Sequence, residues 1–101
     1  SQKISAELQL NLYRILQEQL RNITKYANAD HITVELKLEQ QELLFNIIDN
    51  GIGFNYDEVK KGIGLSNIKR RAELFFGKME IESAPGQGCK MIIQIPLQSN
   101  K

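Results

Sequence analysis

A single cysteine, Cys89, and a single histidine, His31, are all that this 101-residue chain has of either residue. No internal disulfide can form, and no Cys/His cluster with zinc-ligand spacing is present. A reducing, cytosolic setting fits. Charge of one sign is lacking too: thirteen Lys and Arg against twelve Asp and Glu leave a formal charge of +1. That balance argues against strong attraction to nucleic acid or to an anionic membrane surface. No apolar run approaches the ~20 residues that span a bilayer, and the polar start SQKISAELQ lacks the apolar stretch of a signal peptide. Position 1 is Ser rather than Met, as expected of an excised domain.

Internal repeats and low-complexity linkers are absent as well, so residues 1–101 are expected to form one domain. A content of 42% hydrophobic and 25% charged residues is that of an ordinary globular chain large enough for one core. After Ser5, a suitable N-cap, apolar residues recur at Leu8, Leu12, Ile15, Leu16, Leu20, Ile23 and Ala27, the spacing of an amphipathic helix that ends near ANAD. The period then becomes two. Ile32, Val34, Leu36 and Leu38 alternate with Thr33, Glu35, Lys37 and Glu39, predicting a half-buried strand, and QQE turns the chain into a second strand, LLFNIID. A glycine-rich stretch leads to LSNIKRRAELFFG, where Ile68, Ala72 and Phe75 share a helical face and Gly77 is a natural stop. KMEIES and CKMIIQIPL, joined by the turn APGQG, close the chain as two more strands. Helix, strand, strand, irregular segment, helix, strand, strand is the order of a two-layer α+β sandwich.

Four of the seven glycines fall in two Gly-Ile-Gly triplets within DNGIGFNYDEVKKGIGLSN. Asp-Asn-Gly after an apolar strand is a hairpin signal in its own right. Neither triplet has the third glycine of the dinucleotide fingerprint, and no Gly-Lys-Ser/Thr of a P-loop is present. In the first helix, Glu18, Asn22 and Lys25 fall at i, i+4 and i+7 on one stripe opposite the apolar one. Such a stripe, continuing Asn11 and Arg14, is ordinarily a solvated face. A carboxylate, an amide oxygen and an ammonium within two turns also suit a base, a magnesium ligand and a phosphate clamp.

The order of these segments resembles the ATP-binding catalytic domain of bacterial sensor histidine kinases, in the superfamily shared with gyrase, the heat-shock chaperone ATPase and MutL. RILQEQLRNITKYA resembles the N box, DNGIGF the G1 box, GIGLSNIKRR the G2 box, and ESAPGQGCKMIIQIPL the last glycine turn with its closing strand. The likeness runs from Leu12 to Leu97, and the Glu-x-x-x-Asn form of the N box is similar to that of the nitrate-sensor and membrane-fluidity-sensor kinases. It implies a two-layer α/β sandwich whose mixed, largely antiparallel sheet is covered by helices.

For function, the resemblance implies a domain that binds Mg-ATP and donates the γ-phosphate to a histidine on a separate dimerisation domain, for onward transfer to a response regulator. Asp49 is expected to accept a hydrogen bond from the adenine amino group. Gly51 and Gly53 let backbone approach the purine, and Gly62 and Gly64, with Leu65 and Ser66, present helix N-terminal N–H groups to phosphate. The intervening FNYDEVKK corresponds to the ATP lid. Asn22 is expected to ligate Mg²⁺, Lys25 to contact a phosphate, and Glu18 to act as the base; Tyr26 is expected to cover the core. Cys89 stands where the family usually has threonine, and a thiol is the poorer hydrogen-bond group. His31, at the start of a strand, reads as a surface residue rather than a phosphate acceptor, so the acceptor must lie elsewhere in a parent protein. Neither nucleic acid nor direct membrane contact is expected, and the cytoplasmic setting is compatible with a membrane-anchored parent. Two alternatives are a serine kinase of the anti-sigma-factor type and a regulatory module that senses ATP without chemistry.

Overall fold

The computed structural model describes residues 4–53 and 65–97. Helix α1 spans Ala6–Asn22 and runs directly into a π-helical turn, Ile23–Ala27. Strand β1 is Ile32–Glu39, β2 Glu42–Asp49, helix α2 Leu65–Glu73, β3 Lys78–Ser83 and β4 Cys89–Pro96. Ser5 caps α1 as its position suggests, its Oγ accepting from the Leu8 N–H at 3.1 Å. The strands form one sheet in the order β1-β2-β4-β3, and every pairing among the described residues is antiparallel.

Period-two patterning decides which face is buried. Leu43, Phe45 and Ile47 of β2 lie beside Met91, Ile93 and Ile95 of β4, and all are buried. Leu8, Leu12, Ile15 and Ile23 from the first helical segment, with Leu65, Ile68 and Ala72 from α2, complete that core. A helix layer on one sheet face is the expected two-layer sandwich. Among the described residues no helix is long and apolar enough to cross a membrane.

Three local expectations change. Strand β1 has the right alternation, but Ile32, Val34, Leu36 and Leu38 all remain exposed, because β1 is the sheet's edge and the core ends at β2. Gly77 is not the left-handed residue that stops α2. Phe76 takes that conformation (φ 64°), while the Phe76 N–H bonds the Glu73 carbonyl and the Gly77 N–H the Ala72 carbonyl, a Schellman ending. Glycine at 77 serves close packing instead, since a Cβ there would lie 2.7 Å from the Ile95 side chain. Asp-Asn-Gly does not make a hairpin. β2 pairs with β1 through the two-residue turn Gln40-Gln41, both with positive φ, and β2's other neighbour is β4.

Candidate functional site

At one end of the sheet the buried face changes character. Across the four strands the last rung reads Ile32, Asp49, Cys89 and Ser83, and two residues further in, on the same face, Val34, Ile47, Met91 and Ile81. Asp49 is 5% exposed, and a carboxylate so placed is costly unless it has donors. One donor is local: the Gly51 N–H reaches Asp49 Oδ1 at 2.7 Å. Among the described residues the carboxylate has no other hydrogen bond, so one oxygen is without a partner there.

Asp49 and Cys89 share a cavity of about 360 Å³ with Ile48, Ser83, Ala84 and Gln87 among its walls. Burial pushes the Cys89 thiol up to about 11; the Asp49 carboxylate beside it adds to the rise, and a hydrogen bond with Ser83 opposes it. Cys89 is therefore a neutral thiol at physiological pH, polar enough to fill the place but inert as a nucleophile. Ser83 also donates from Oγ to the Gly88 carbonyl at 2.7 Å, fixing the turn before β4.

Glycine's role at this end is set by the chain's own packing. A Cβ on Gly51 would collide with the Ala27 carbonyl, one on Gly53 with the Ala84 carbonyl, and one on Gly88 with the Asp49 carbonyl. Gly53 and Gly88 also take positive φ, 67° and 73°. Residues 49–53 thus interlock with the π-helical turn on one side and with the 84–88 turn on the other. The Ile52 N–H bonds the Ala27 carbonyl at 2.8 Å, and the Gly86 N–H bonds the Ile52 carbonyl. Asn50 adds a third tie, its Oδ1 accepting from the N–H groups of both Asp30 and His31 at 2.9 Å.

The proposed stripe on α1 separates. Asn22 is 7% exposed and donates from Nδ2 to Gln19 Oε1 at 3.1 Å. Asn11, read from the sequence as part of a solvated face, is buried against α2, where its Nδ2 donates to the Arg71 carbonyl at 2.7 Å. Glu18 is half-buried and paired with the exposed Arg21 at 3.1 Å. Lys25 does not continue the stripe: the helix widens to π geometry after Asn22, and Lys25 sits exposed in an outer concavity with Gln17, Leu20, Arg21 and Thr24. Tyr26 is 49% exposed rather than covering the core. His31 is exposed, as expected of a surface residue. On α2, Leu65 is buried and Ser66 exposed. Gly62, Gly64 and the FNYDEVKK lid segment lie outside the described residues.

The structure therefore brings Asp49, Gly51 and Gly53 together with the turn that follows Asn22. It adds Ser83 and Gln19, which sequence reasoning missed, and sets Gly88 of the last glycine turn against the Asp49 carbonyl. Ser83 was legible only through strand register, which places it opposite Cys89; for Gln19 the signal was its spacing, four residues after Ile15 and four before Ile23 on the apolar stripe.

A family model described as histidine kinase-, DNA gyrase B-, and HSP90-like ATPase matches residues 7–99. The chain belongs to this family. Similar relatives include the sensor histidine kinase LiaS of Bacillus subtilis, 36% identical over 93% of this chain and 26% of LiaS. The oxygen sensor histidine kinase NreB of Staphylococcus carnosus is 32% identical over 96% of this chain and 28% of NreB. The chain thus spans about a quarter of the length of these relatives. In fold it is similar to the ATP-binding domain of PrrB from Mycobacterium tuberculosis, with a TM-score of 0.77 at 21% identity, over 89% of this chain and 69% of that one. The domain is the ATPase-type part that sensor histidine kinases carry.

Proposed function

We propose that this domain binds Mg-ATP and serves as the kinase part of a two-component sensor, its γ-phosphate passing to a histidine on a separate dimerisation domain and from there to a response regulator. The observation that carries the reading is Asp49, a buried carboxylate at the sheet's end with one oxygen unbonded among the described residues, in a chain whose relatives are named histidine kinases. An exocyclic amino group is the donor such an oxygen lacks, and adenine carries one where guanine carries a carbonyl.

The side chains present fit the metal as well. Asn22 spends its amino group on Gln19, so its Oδ1 is a hard oxygen with no partner among the described residues. Mg²⁺ takes such oxygens one or two at a time, with substrate phosphates and water filling the rest of its shell. The ion would neutralise charge on the phosphates; Asn22 would hold it, and Glu18, near Asn22 on α1, would accept the proton of the attacking group or orient it. Its pairing with Arg21 must then loosen or be shared. Lys25 would reach a phosphate only by extending from the π-helical turn. Gly62, Gly64, Leu65 and Ser66 would supply N–H groups to phosphate.

Calorimetry tests the reading. ATP should bind with a clear gain from Mg²⁺, GTP poorly, and Asp49→Asn should weaken ATP by about 1–3 kcal/mol. The isolated chain should take up no label from γ-labelled ATP unless a dimerisation domain bearing the acceptor histidine is added. Equal affinity for ATP and GTP, or labelling of His31 in the chain alone, would defeat it.

A further inference from the structure

We infer that Gln19 is a positioning residue for the metal: it holds the Asn22 carboxamide so that the oxygen, and not the amino group, is presented to Mg²⁺. This rests on the Mg-ATP reading above and goes beyond it, because Gln19 belongs to none of the roles assigned there.

Gln19 is a residue in an unexpected place. Leu8, Leu12, Ile15 and Ile23 share its buried helix face, and Gln19 itself is only 3% exposed. An amide there gives up its water, a cost that one good hydrogen bond only partly offsets, so alanine or leucine would suit the core better. Its side chain's one hydrogen bond among the described residues is with Asn22, three residues on and so one turn above.

That bond breaks a symmetry. A carboxamide is nearly the same shape either way round, yet only its oxygen can ligate a cation, because the NH₂ group has no lone pair to offer. Turning Asn22 over alone would set its Oδ1 against Gln19 Oε1, two acceptors face to face, and turning both amides together would spend Oδ1 on Gln19 Nε2; only the arrangement in this structure leaves the oxygen free. With Nδ2 donating to Gln19, the ligand atom is set before metal arrives, and the buried NH₂ stays bonded once the oxygen is engaged. Partners that orient a metal ligand in this way typically govern about 10–100-fold in metal affinity.

Two variants and a control test it on the full 101-residue chain. The first measurement is ATP affinity with Mg²⁺ against ATP affinity in EDTA. Gln19→Met, similar in shape but without an acceptor, should cut the Mg²⁺-dependent gain about tenfold while leaving affinity in EDTA within about twofold. Gln19→Glu should keep the gain, since a carboxylate can only accept and so holds Asn22 the same way round. The second measurement needs no nucleotide: by NMR, the Asn22 side-chain NH₂ should exchange slowly in the parent chain and in Gln19→Glu, and fast in Gln19→Met.

Asn22→Ala separates the two levels of the argument. If it keeps the Mg²⁺ gain, the metal reading falls and the role of Gln19 with it. If it loses the gain while Gln19→Met keeps it, Mg-ATP binding stands and Gln19 merely fills the core. Loss of the gain in Gln19→Glu would overturn the proposal as well.

Discussion

Val34, Ile47, Met91 and Ile81 stand side by side across the sheet, and two residues nearer its end, on the same face, the four strands present Ile32, Asp49, Cys89 and Ser83. Backbone and pairing are alike in the two rungs, and so is burial at their centres: Ile47 and Met91 are wholly buried, Asp49 and Cys89 nearly so. What differs is the neighbourhood. Ile47, Met91 and Ile81 of the inner rung belong to the apolar cluster shared with both helices, whereas the outer one meets residues 50–53 and the 84–88 turn, whose glycines bring carbonyls and N–H groups close. A core becomes a candidate binding site here by keeping its burial while exchanging methyl groups on one side for backbone dipoles and an open carboxylate oxygen.

The largest expected effect sets the two rungs against each other. Ile47→Ala leaves a cavity in the centre of the sheet and should cost about 2–5 kcal/mol of stability, read from denaturant midpoints, with ATP affinity of the folded fraction unchanged. Asp49→Asn should do the reverse. Its Oδ1 can still accept from Gly51, so stability should move by less than about 1 kcal/mol while ATP binding suffers. If Asp49→Asn destabilised the fold as much as Ile47→Ala, the carboxylate would be a structural group and the outer rung simply more core.

Much of this was legible in the sequence. The apolar runs marked β2 and β4 as strands and the resemblance singled out Asp49, but with Leu44, Ile48 and Ile92 apolar too, which face is buried, and that Asp49 lies on it, comes from the structure. Periodicity alone misled where an element's surroundings matter more than its pattern. β1 alternates more cleanly than β2, but nothing in that alternation says that β1 is the edge and stays half open. Asn11 looks like a solvated polar position because helical spacing does not reveal that α2 closes over it, whereas Gln19, four residues after Ile15 and four before Ile23, falls on the apolar face by spacing and was passed over. Extending the stripe to Lys25 assumed 3.6 residues per turn across a segment that is π-helical. Gly51 and Gly53 were expected to make room for a purine; the atoms that they and Gly88 closely approach in this structure are the chain's own carbonyls.

Cys89 sharpens the comparison through pH. Its pKa, raised to about 11 from 9.0 chiefly by burial, means that the folded state holds the thiol proton more firmly than the unfolded chain does. The resulting stability is fully present below about pH 9 and is lost as pH rises through about 11. The contribution is on the order of 1–2 kcal/mol once solvent near the thiol is allowed for. Cys89→Ser has no group titrating in this window, so the parent chain should lose stability relative to it between pH 8 and 11. Asp49→Asn removes the charge that adds to the rise and should shrink that difference. A difference flat with pH would mean that the outer rung is wet, unlike Ile47 and Met91 beside it.

The smallest effect is expected at the open end of the inner rung. Val34 pairs directly with Ile47 and faces the same way, but it is 45% exposed, so only part of its side chain leaves water on folding. Full burial of a valine is worth roughly 1.5–3 kcal/mol, and threonine keeps the branched shape that a strand favours. Val34→Thr should therefore cost less than about 1 kcal/mol by the same denaturant midpoints, far below Ile47→Ala one strand away. The contrast measures where the core stops. A loss at Val34 comparable to that at Ile47 would show that in solution something covers the apolar side of β1, and the exposed row Ile32, Val34, Leu36 and Leu38 would then have to be counted as interior.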